Sequence, residues 1–458
     1  MRLKILQLAL ILSGLLIAGS AYAHTEFVCQ IDPDNSAGTD YTKLSTWESA
    51  HDEDYNTTTA VLVFSHGGIT GTISDKAGVV GETSGAKGTA THTTANQILI
   101  INITSEVAFQ SGERVYSGDP DINSVTISDN GDSPIIVAEV MSSAGTDDAQ
   151  AMGISGGTFD DSCVGYFEVR PKPGWEHSGV WDDSLYIITS NGGVISVSEP
   201  CTRINGIQIK LVVDNTGVQT VYQPLRTSSS NPEGTPDVRF TNNIVTMALN
   251  GTTTVPIAYS GIVISSDVDL APVYVANNLV YNFRDDGENI GYAAADGNGT
   301  ESSFWYNNTF VKNEKGFNCS HNFAVLKNNL IASSTIESFV LDPYHNDSQS
   351  NCIETNESAS TTADFSSQTF TFVDANNGDW HLAATDAGAR DKAADLTNDT
   401  IFPFSTDFED DTRPYNSVWD CGADEYYVAA TGGWSDAELR IKGGKTLNIK
   451  GGQTLIIK

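Results

Sequence analysis

Basic residues are scarce in this 458-residue chain, which has 24 Lys and Arg residues against 58 Asp and Glu residues and a net charge of −34. A field of that sign repels nucleic acid and anionic membranes and keeps a protein soluble. The composition therefore predicts no nucleic-acid partner. Tight binding of a polyanionic glycan would need a cation that bridges the two.

Cysteine is also sparse, with six residues in the chain and no CxxC pair that would indicate a metal or haem motif. An even number is compatible with disulfides in an exported protein. Six cysteines are nevertheless too few to form the framework of a fold of this length.

Long apolar runs are confined to the N-terminus. Arg2 and Lys4 precede the apolar stretch 5–18, and Ala21-Tyr22-Ala23 supplies the small residues that a signal peptidase reads. This arrangement predicts a secretory signal over 1–23, with His24 as the new N-terminus. The apolar run is short for a bilayer span of roughly 20 residues. We expect a secreted or cell-surface protein that has no membrane span after cleavage.

Sustained helical periodicity is absent after the signal. One short helix is expected, because Ser45-Thr46-Trp47-Glu48 has the form of a capping box. The remaining chain consists of short apolar or alternating runs separated by Gly, Asn, Asp and Ser, such as 61–64, 98–101, 125–127 and 194–197. These runs predict an all-β protein.

A repeat indicates the architecture. Two short strands flank an Asn-Asn pair four times, and the first asparagines are Asn242, Asn277, Asn307 and Asn328, which are 35, 30 and 21 residues apart. Residues 203–207 are a degenerate copy. Asn tolerates the left-handed conformation of a sharp corner, and its amide can bond to the next coil in a ladder. The repeat favours a solenoid over a sandwich, which would not need the same dipeptide at each corner.

These coils resemble the right-handed parallel β-helix superfamily, which includes pectate lyases and phage tailspikes. Two cysteines one or two coils apart in such a helix can stack, so Cys319 with Cys352 is the preferred disulfide.

The C-terminal part is similar to the closing segment of exported bacterial proteins called choice-of-anchor Q. The matching residues are Trp380-His381-Leu382, Asp386-Ala387-Gly388, Asp407 through Arg413 and Asp420-Cys421-Gly422-Ala423-Asp424-Glu425-Tyr426. An Asp (410 or 411) replaces the middle Gly of that pattern. The resemblance implies export and a closed helix end, in which Asp407, Arg413, Asp420 and Glu425 stabilise a cap and are not catalytic.

The predicted fold is a single-stranded right-handed parallel β-helix with a short N-terminal capping helix and a small C-terminal β tail. After the signal, the predicted divisions are an N-terminal cap with the first coils (24–100), the β-helix (101–375), the closing segment (376–428) and a tail (429–458). The tail repeats short basic strands between Gly-Gly pairs. It either adds strands to a neighbouring molecule, giving self-association, or packs back on its own helix.

Two groups of residues are candidate small-molecule sites. The acidic, glycine-containing loops at Asp285, Asp286, Glu288, Asp296 and Asn298 can supply oxygen ligands for Ca²⁺, or can simply be solvated turns. Two aromatic stretches, Trp175 with Trp181 and Trp305 with Tyr306, are each a candidate platform for glycans, or can fill the helix interior.

No catalytic motif stands out. Polysaccharide lyases of the resembled superfamily need a Lys or Arg base, and the few arginines available are Arg203, Arg226, Arg239 and Arg284, none of them in a lyase motif. We therefore predict a secreted structural or binding protein, a surface, matrix or fibre component that binds extracellular polysaccharide. The alternative is a polysaccharide lyase or glycoside hydrolase with its site in a groove near 281–298.

Overall fold

The computed structural model describes residues 25–427, apart from 36–37, 54, 56–59, 105–106, 158, 160–162, 164, 215–220, 228–236, 251–257, 265–271, 284–292, 298–302, 320–323, 333–336, 342–347, 356–363 and 416. The chain divides into two compact units. The first comprises the described parts of Met1–Phe27 and Tyr55–Ile136, and the second those of Val28–Asp54 and Val137–Lys458. The predicted signal and the predicted tail lie outside the described residues.

Strands make up nearly all of the regular structure. The strands of the first third of the chain are Thr25–Ile31 (β1), Ala60–Thr70 (β2), Ala77–Gly81 (β3), Lys87–Thr93 (β4), Gln97–Ile103 (β5), Arg114–Tyr116 (β6), Ser124–Ile127 (β7) and Pro134–Val140 (β8). Those of the central part are Met152–Ile154 (β9), Phe167–Pro171 (β10), Ile187–Ser190 (β11), Ile195–Val197 (β12), Thr202–Asn205 (β13), Gln208–Asp214 (β14), Val221–Tyr222 (β15), Leu225–Thr227 (β16), Val238–Thr241 (β17) and Ile244–Asn250 (β18).

The remaining strands are Ala258–Ile264 (β19), Val273–Ala276 (β20), Leu279–Tyr281 (β21), Ala293–Gly297 (β22), Ser303–Tyr306 (β23), Thr309–Val311 (β24), Lys315–Cys319 (β25), Ala324–Lys327 (β26), Leu330–Ala332 (β27), Glu337–Leu341 (β28), Cys352–Ile353 (β29), Phe372–Asp374 (β30) and Asp379–Leu382 (β31). The helical elements of the described residues are the α-helix Leu44–Ala50 (α1) and the 3-10 helix Ala375–Asn377. In the described part of the chain, no helix is both long and apolar enough to span a bilayer.

The first unit is an antiparallel sheet that closes on itself in the order β2-β5-β4-β3-β6-β7. Its interior is apolar and includes Phe64, Ile100 and Val115. The connection between β3 and β4 spans only residues 82–86, which suits antiparallel neighbours, whereas parallel strands need a long crossover. This arrangement corrects the predicted boundary at residue 100, because β6 and β7 pair antiparallel with β3 and β2 and are not parallel coils.

The second unit is a parallel β-helix with three sheets, as the repeat predicted. The first sheet has the order β1-β8-β10-β13-β17-β20-β23-β26, the second β11-β14-β18-β21-β24-β27-β29 and the third β9-β12-β16-β19-β22-β25-β28. From β13 onward each coil contributes one strand to each sheet, and neighbouring coils pair in parallel register.

Side chains along the strands of the first sheet alternate between the interior of the helix and its outer face. We call the two sets the interior stack and the outward row. Residues of the stack follow one another in register and are fully buried: Ile204, Phe240, Val275, Trp305 and Leu326. Each is preceded by a residue of the outward row: Arg203, Arg239, Tyr274, Phe304 and Val325. Because successive side chains of a strand point to opposite faces, every coil repeats this division.

Helix α1 forms where the sequence predicted a short helix, but without the predicted capping box. Lys43 occupies the N-cap position and makes no side-chain cap. The Leu44 N–H instead donates to Asp148 Oδ2 at 2.8 Å, and Glu48 Oε1 accepts from the Ser155 N–H at 3.1 Å. Both carboxylates are thus used in tertiary contacts that tie the helix to the coils.

The described residues 376–427, called the closing segment below, pack on the β-helix through large apolar side chains. Trp380, Phe402 and Trp419 share one buried cluster with coil residues such as Leu279 and Leu330. The closing segment is also joined to the coils covalently, because Cys421 is bonded to Cys352.

That bond contradicts the predicted pair Cys319–Cys352. Cys319 belongs to β25 in the third sheet, whereas Cys352 belongs to β29 in the second sheet, so the two cannot stack. A second disulfide joins Cys163 to Cys201, and Cys29 is buried and is not part of a disulfide.

Candidate functional site

The corner between the first and second sheets is built from one left-handed residue per coil. Asn242, Asn277, Asn307 and Asn328, at the predicted Asn turns, have φ angles of 57°, 55°, 51° and 60°. Gly206 takes the same place in the degenerate copy, with φ 70°. Asn and Gly tolerate this conformation at low cost, which lets the chain turn within two residues.

The ladder is formed by the second asparagine of each pair. Asn243, Asn278, Asn308, Asn329 and Asn351 donate from Nδ2 to the side chain of the next coil, at 2.9 to 3.0 Å, and the series ends on Asp364 Oδ1. The backbone N–H of each donates to the same acceptor at 3.0 Å. The other Nδ2 hydrogen donates to a backbone carbonyl of the preceding coil, as in Asn308 to Val275 O at 2.8 Å.

The amides of the first asparagines point outward and hold the closing segment. Asn277 Nδ2 donates to Thr406 O at 2.9 Å, and Asn307 Nδ2 donates to Asp420 O at 3.1 Å. Asn328 donates to Ala394 O at 2.8 Å and accepts from the Ala394 N–H at 2.9 Å. The closing segment therefore lies along three successive corners.

Asp407, Arg413, Asp420 and Glu425, which the sequence grouped as a cap, lie together inside the closing segment. Arg413 Nη1 contacts Glu425 Oε2 at 3.1 Å, and both side chains are almost fully buried. The Glu425 N–H donates to Asp407 Oδ2 at 3.1 Å, and the Asp420 N–H donates to Glu425 Oε2 at 2.9 Å. This network fixes the chain that forms one wall of the groove described below.

The network makes stability depend on pH. Burial, and then the charge of Glu425, raise the pKa of Asp420 to about 7, whereas an Asp in an unfolded chain titrates at about 3.9. As the pH rises, the unfolded state releases this proton first, so the contribution of Asp420 falls between about pH 4 and pH 7. We expect the unfolding temperature to fall from pH 5 to pH 8, and to fall less in Asp420→Asn. The exposed Asp374→Asn should keep the wild-type slope, and an unchanged slope in Asp420→Asn would contradict the assignment.

A groove opens where the closing segment leaves the corner at Asn242 and Gly206. It consists of two adjoining clefts, of about 280 and 440 Å³, that share Asn205 and Asn242. The smaller cleft is lined on the coil side by residues that include Glu168, Arg203, Arg239 and Thr241. Its other side is formed by the closing-segment residues Phe402 to Phe404 and Thr406. The larger is lined by residues that include Arg170, Glu176, His177, Phe408 and Glu409. We call the two clefts together the corner groove.

Two arginines form the cationic part of the corner groove. Arg203 and Arg239 are register neighbours in the outward row, so their backbones are about 4.8 Å apart. Arg239 pairs with Asp237 at 2.5 Å and lies 5.4 Å from the centre of the Phe402 ring. Arg203 stacks on Tyr166, with its guanidinium carbon 3.4 Å from the ring centre.

Arg203 differs from its neighbours in having no polar partner. Its Nε is buried without a hydrogen bond, and no described residue forms an ion pair with it. Burial, and then the charge of Arg239, lower the pKa of Arg203 below its usual range. A half-buried guanidinium whose Nε has no acceptor, beside a second guanidinium, favours an anionic ligand, because such a ligand supplies a hydrogen-bond acceptor.

Trp175 and Trp181, predicted as ligand-binding, lie half-buried at the surface. Trp175 lines an open cleft with Ser142 and Asp183. Trp181 donates from Nε1 to Asp183 Oδ1 at 2.8 Å, and Lys210 Nζ lies 5.1 Å from its ring. Neither residue lines the corner groove.

Trp305 and Tyr306, the second candidate platform, are fully buried, so the interpretation as a glycan platform is wrong and the alternative of burial holds. Trp305 belongs to the interior stack and donates to Ser303 Oγ at 2.9 Å. Tyr306 points outward, but the closing segment covers it, and it packs in the cluster with Phe402. Both side chains stabilise the fold and cannot stack on a sugar.

The predicted calcium ligands cannot be placed. Asp285, Asp286, Glu288 and Asn298 lie outside the described residues, and Asp296 is described only as backbone in β22. The groove predicted near 281–298 falls largely on the same undescribed stretch.

The sequence contained a signal for the arginine pair that its motifs did not reveal. Arg203 stands three positions before Gly206 and Arg239 three before Asn242, which is the same place in the aligned repeat. Aligning the degenerate copy with the full copies would have predicted adjacent guanidinium groups on one face.

No protein-family model matches the chain, and no curated protein matches it. Among solved structures, the chain is similar to one described as the crystal structure of pectate lyase Pel9A, at 11% identity, covering 64% of this chain and 88% of that one with a TM-score of 0.24.

Proposed function

We propose that this protein is an exported β-helix protein, a surface or matrix component, that binds an acidic polysaccharide in the corner groove. The observation that carries this proposal is Arg203, a guanidinium with no hydrogen bond or ion pair among the described residues, next to Arg239 in the outward row. In a chain of net charge −34, such a local pair of cations offers an anionic ligand a positively charged binding place.

The other groups of the groove suit a saccharide. Tyr274 and Phe402 lie ring against ring, with centroids 4.7 Å apart, and close one end of the arginine pair. Side-chain amides of Asn205 and Asn242 line both clefts. Carboxylate recognition by arginine, hydroxyl recognition by amides and apolar contact with a ring together match a uronic-acid-containing chain.

The test is a binding measurement with acidic and neutral polysaccharides at low ionic strength. We expect polygalacturonate or alginate to bind and a neutral glucan not to bind. Arg203→Ala should weaken binding by about 10- to 100-fold, because a charge-assisted hydrogen bond contributes about 1.5–3 kcal/mol.

A matched control is available on another face of the same helix. Arg226 donates to Ser196 Oγ at 3.1 Å and Gln223 Oε1 at 3.2 Å on the third sheet, so Arg226→Ala removes one positive charge without touching the groove. Equal losses in both variants would mean that only net charge matters, and the site assignment would then be rejected.

A lyase reaction is the second candidate, because Arg203 and Arg239 both line the smaller cleft and would lie against a bound uronate. In that reaction a basic side chain would take the proton next to the uronate carboxylate. The bond to the leaving sugar oxygen would break, that oxygen would gain a proton, and a carbon–carbon double bond would form. Ultraviolet absorbance of the unsaturated product measures this reaction, and binding without any such absorbance leaves the protein as a binder.

A further inference from the structure

A histidine surrounded by three carboxylates lies beside the larger cleft. Asp379 and His381 belong to β31, Glu409 follows the cleft residue Phe408, and Asp424 lies near the end of the described chain. The side chains of His381 and Glu409 are 19% and 17% exposed, and Asp424 is 7% exposed. The group is therefore largely shielded from solvent.

Asp379 fixes the orientation of the imidazole. His381 Nδ1 lies 2.6 Å from Asp379 Oδ1, and the His381 backbone N–H donates to the same oxygen at 3.1 Å. Nδ1 is therefore protonated, and Nε2 faces Glu409 Oε2 at 3.0 Å. A carboxylate that holds one ring nitrogen in this way is the usual outer partner of a metal-binding histidine.

Asp424 is buried with unused acceptor capacity. Its Oδ2 accepts the Leu382 N–H at 2.6 Å, and no described residue donates to its other oxygen. A largely buried carboxylate needs a positively charged or donating partner, and a metal ion at His381 Nε2 would supply one. Gly179 lies close to the ring, and any side chain at that position would collide with His381 Nε2, because a Cβ there would lie 2.3 Å from it.

The three groups have the composition of a transition-metal site. One atom each of His381, Glu409 and Asp424 lies within 4.8 Å of the other two. A tetrahedral ion has ligand atoms about 2.0–2.2 Å away, hence about 3.4 Å apart, so the donors need to close in by at most about 1.5 Å. An imidazole with two carboxylates suits Zn²⁺ and its relatives and not Ca²⁺, which takes six to eight oxygens.

We propose that His381 Nε2, Glu409 and Asp424 bind one divalent transition-metal ion of the Zn²⁺ class, with Asp379 as the positioning residue. The ion replaces the proton that Nε2 shares with Glu409. Three protein ligands leave one coordination position for water or a ligand oxygen. Because Glu409 also lines the larger cleft, the ion lies at the wall of the corner groove.

The experiment is a Co²⁺ titration of the full chain at pH 8 after removal of metal with a chelator. Co²⁺ reports its own coordination through visible absorption, so no glycan and no activity is needed. We expect saturation at one equivalent without a thiolate charge-transfer band, which would indicate cysteine. Zn²⁺ should displace the Co²⁺.

The variants separate the ligands from the surrounding charge. His381→Gln and Asp424→Asn should abolish the saturable absorption, and Asp379→Asn should weaken binding by about 10- to 100-fold. Asp374→Asn, which removes an exposed carboxylate on the strand that pairs with β31, should bind as the wild type does. Absence of saturable absorption in the wild type, or equal affinity in a folded His381→Gln or Asp424→Asn variant, would overturn the proposal whether or not polysaccharide binds.

Discussion

Replacing Asn308 by alanine should lower the free energy of unfolding by about 4 kcal/mol. Asn308 is fully buried, and its Oδ1 accepts from both the N–H and the Nδ2 of Asn278, at 3.0 and 2.9 Å. The substitution leaves two buried donors without an acceptor, and each such group costs about 1–3 kcal/mol. Urea unfolding followed by circular dichroism measures the change.

The start of the ladder provides a graded comparison. Asn243 Oδ1 accepts one hydrogen bond, from the Ile207 N–H at 3.1 Å, because an isoleucine stands at the ladder position of the preceding coil. Asn243→Ala should therefore cost about half as much as Asn308→Ala. The exposed Asn376→Ala should change stability by less than about 0.5 kcal/mol. Similar losses at all three positions would contradict the account of the ladder.

Replacing Arg413 by methionine should destabilise the closing segment by about 3–5 kcal/mol, because it leaves Glu425 buried without its cation. Besides Glu425, Arg413 donates to the carbonyl oxygens of Asp420, Gly422 and Ala423, at 2.7 to 3.1 Å. Hydrogen exchange of residues 402–425 should rise, and polysaccharide binding should fall, since these residues form a wall of the corner groove.

The double variant Arg413→Met/Glu425→Gln tests whether the buried charge is the cause. Glutamine keeps an acceptor for the Tyr415 N–H, which donates to Glu425 Oε1 at 2.9 Å, but it carries no charge. The double variant should be less destabilised than the sum of the two single changes. Additive losses would mean that the lost carbonyl contacts of Arg413 explain the whole effect, and Arg226→Met serves as the surface control.

The coil architecture could be predicted because one local requirement recurs. A left-handed corner needs Asn or Gly, and the repeat placed such a residue at each turn of the helix. The different roles of the two asparagines in each Asn-Asn pair could not be predicted from one sequence. The first asparagine turns the backbone and holds the closing segment, whereas the second forms the ladder, and the two residues are identical in the sequence.

Other features depend on contacts between residues that are far apart in the sequence, and no local pattern predicts such contacts. Cys352 meets Cys421 because the closing segment returns along the corner, a path that spacing alone does not specify. The strands from Ala60 to Ile127 have the same composition as coil strands, so their antiparallel pairing was not evident. Trp305 and Tyr306 are adjacent, yet one is buried by the coils and the other by the closing segment.

The closing segment also limits how the length of the solenoid can change. It bonds to the corners at Asn277, Asn307 and Asn328, so its own chain path is matched to the spacing of three consecutive coils. Insertion or deletion of a coil among those three would move the remaining corners away from their hydrogen-bond partners Thr406, Asp420 and Ala394. Duplication or deletion of a whole coil between Asn277 and Asn328 is therefore incompatible with this closure.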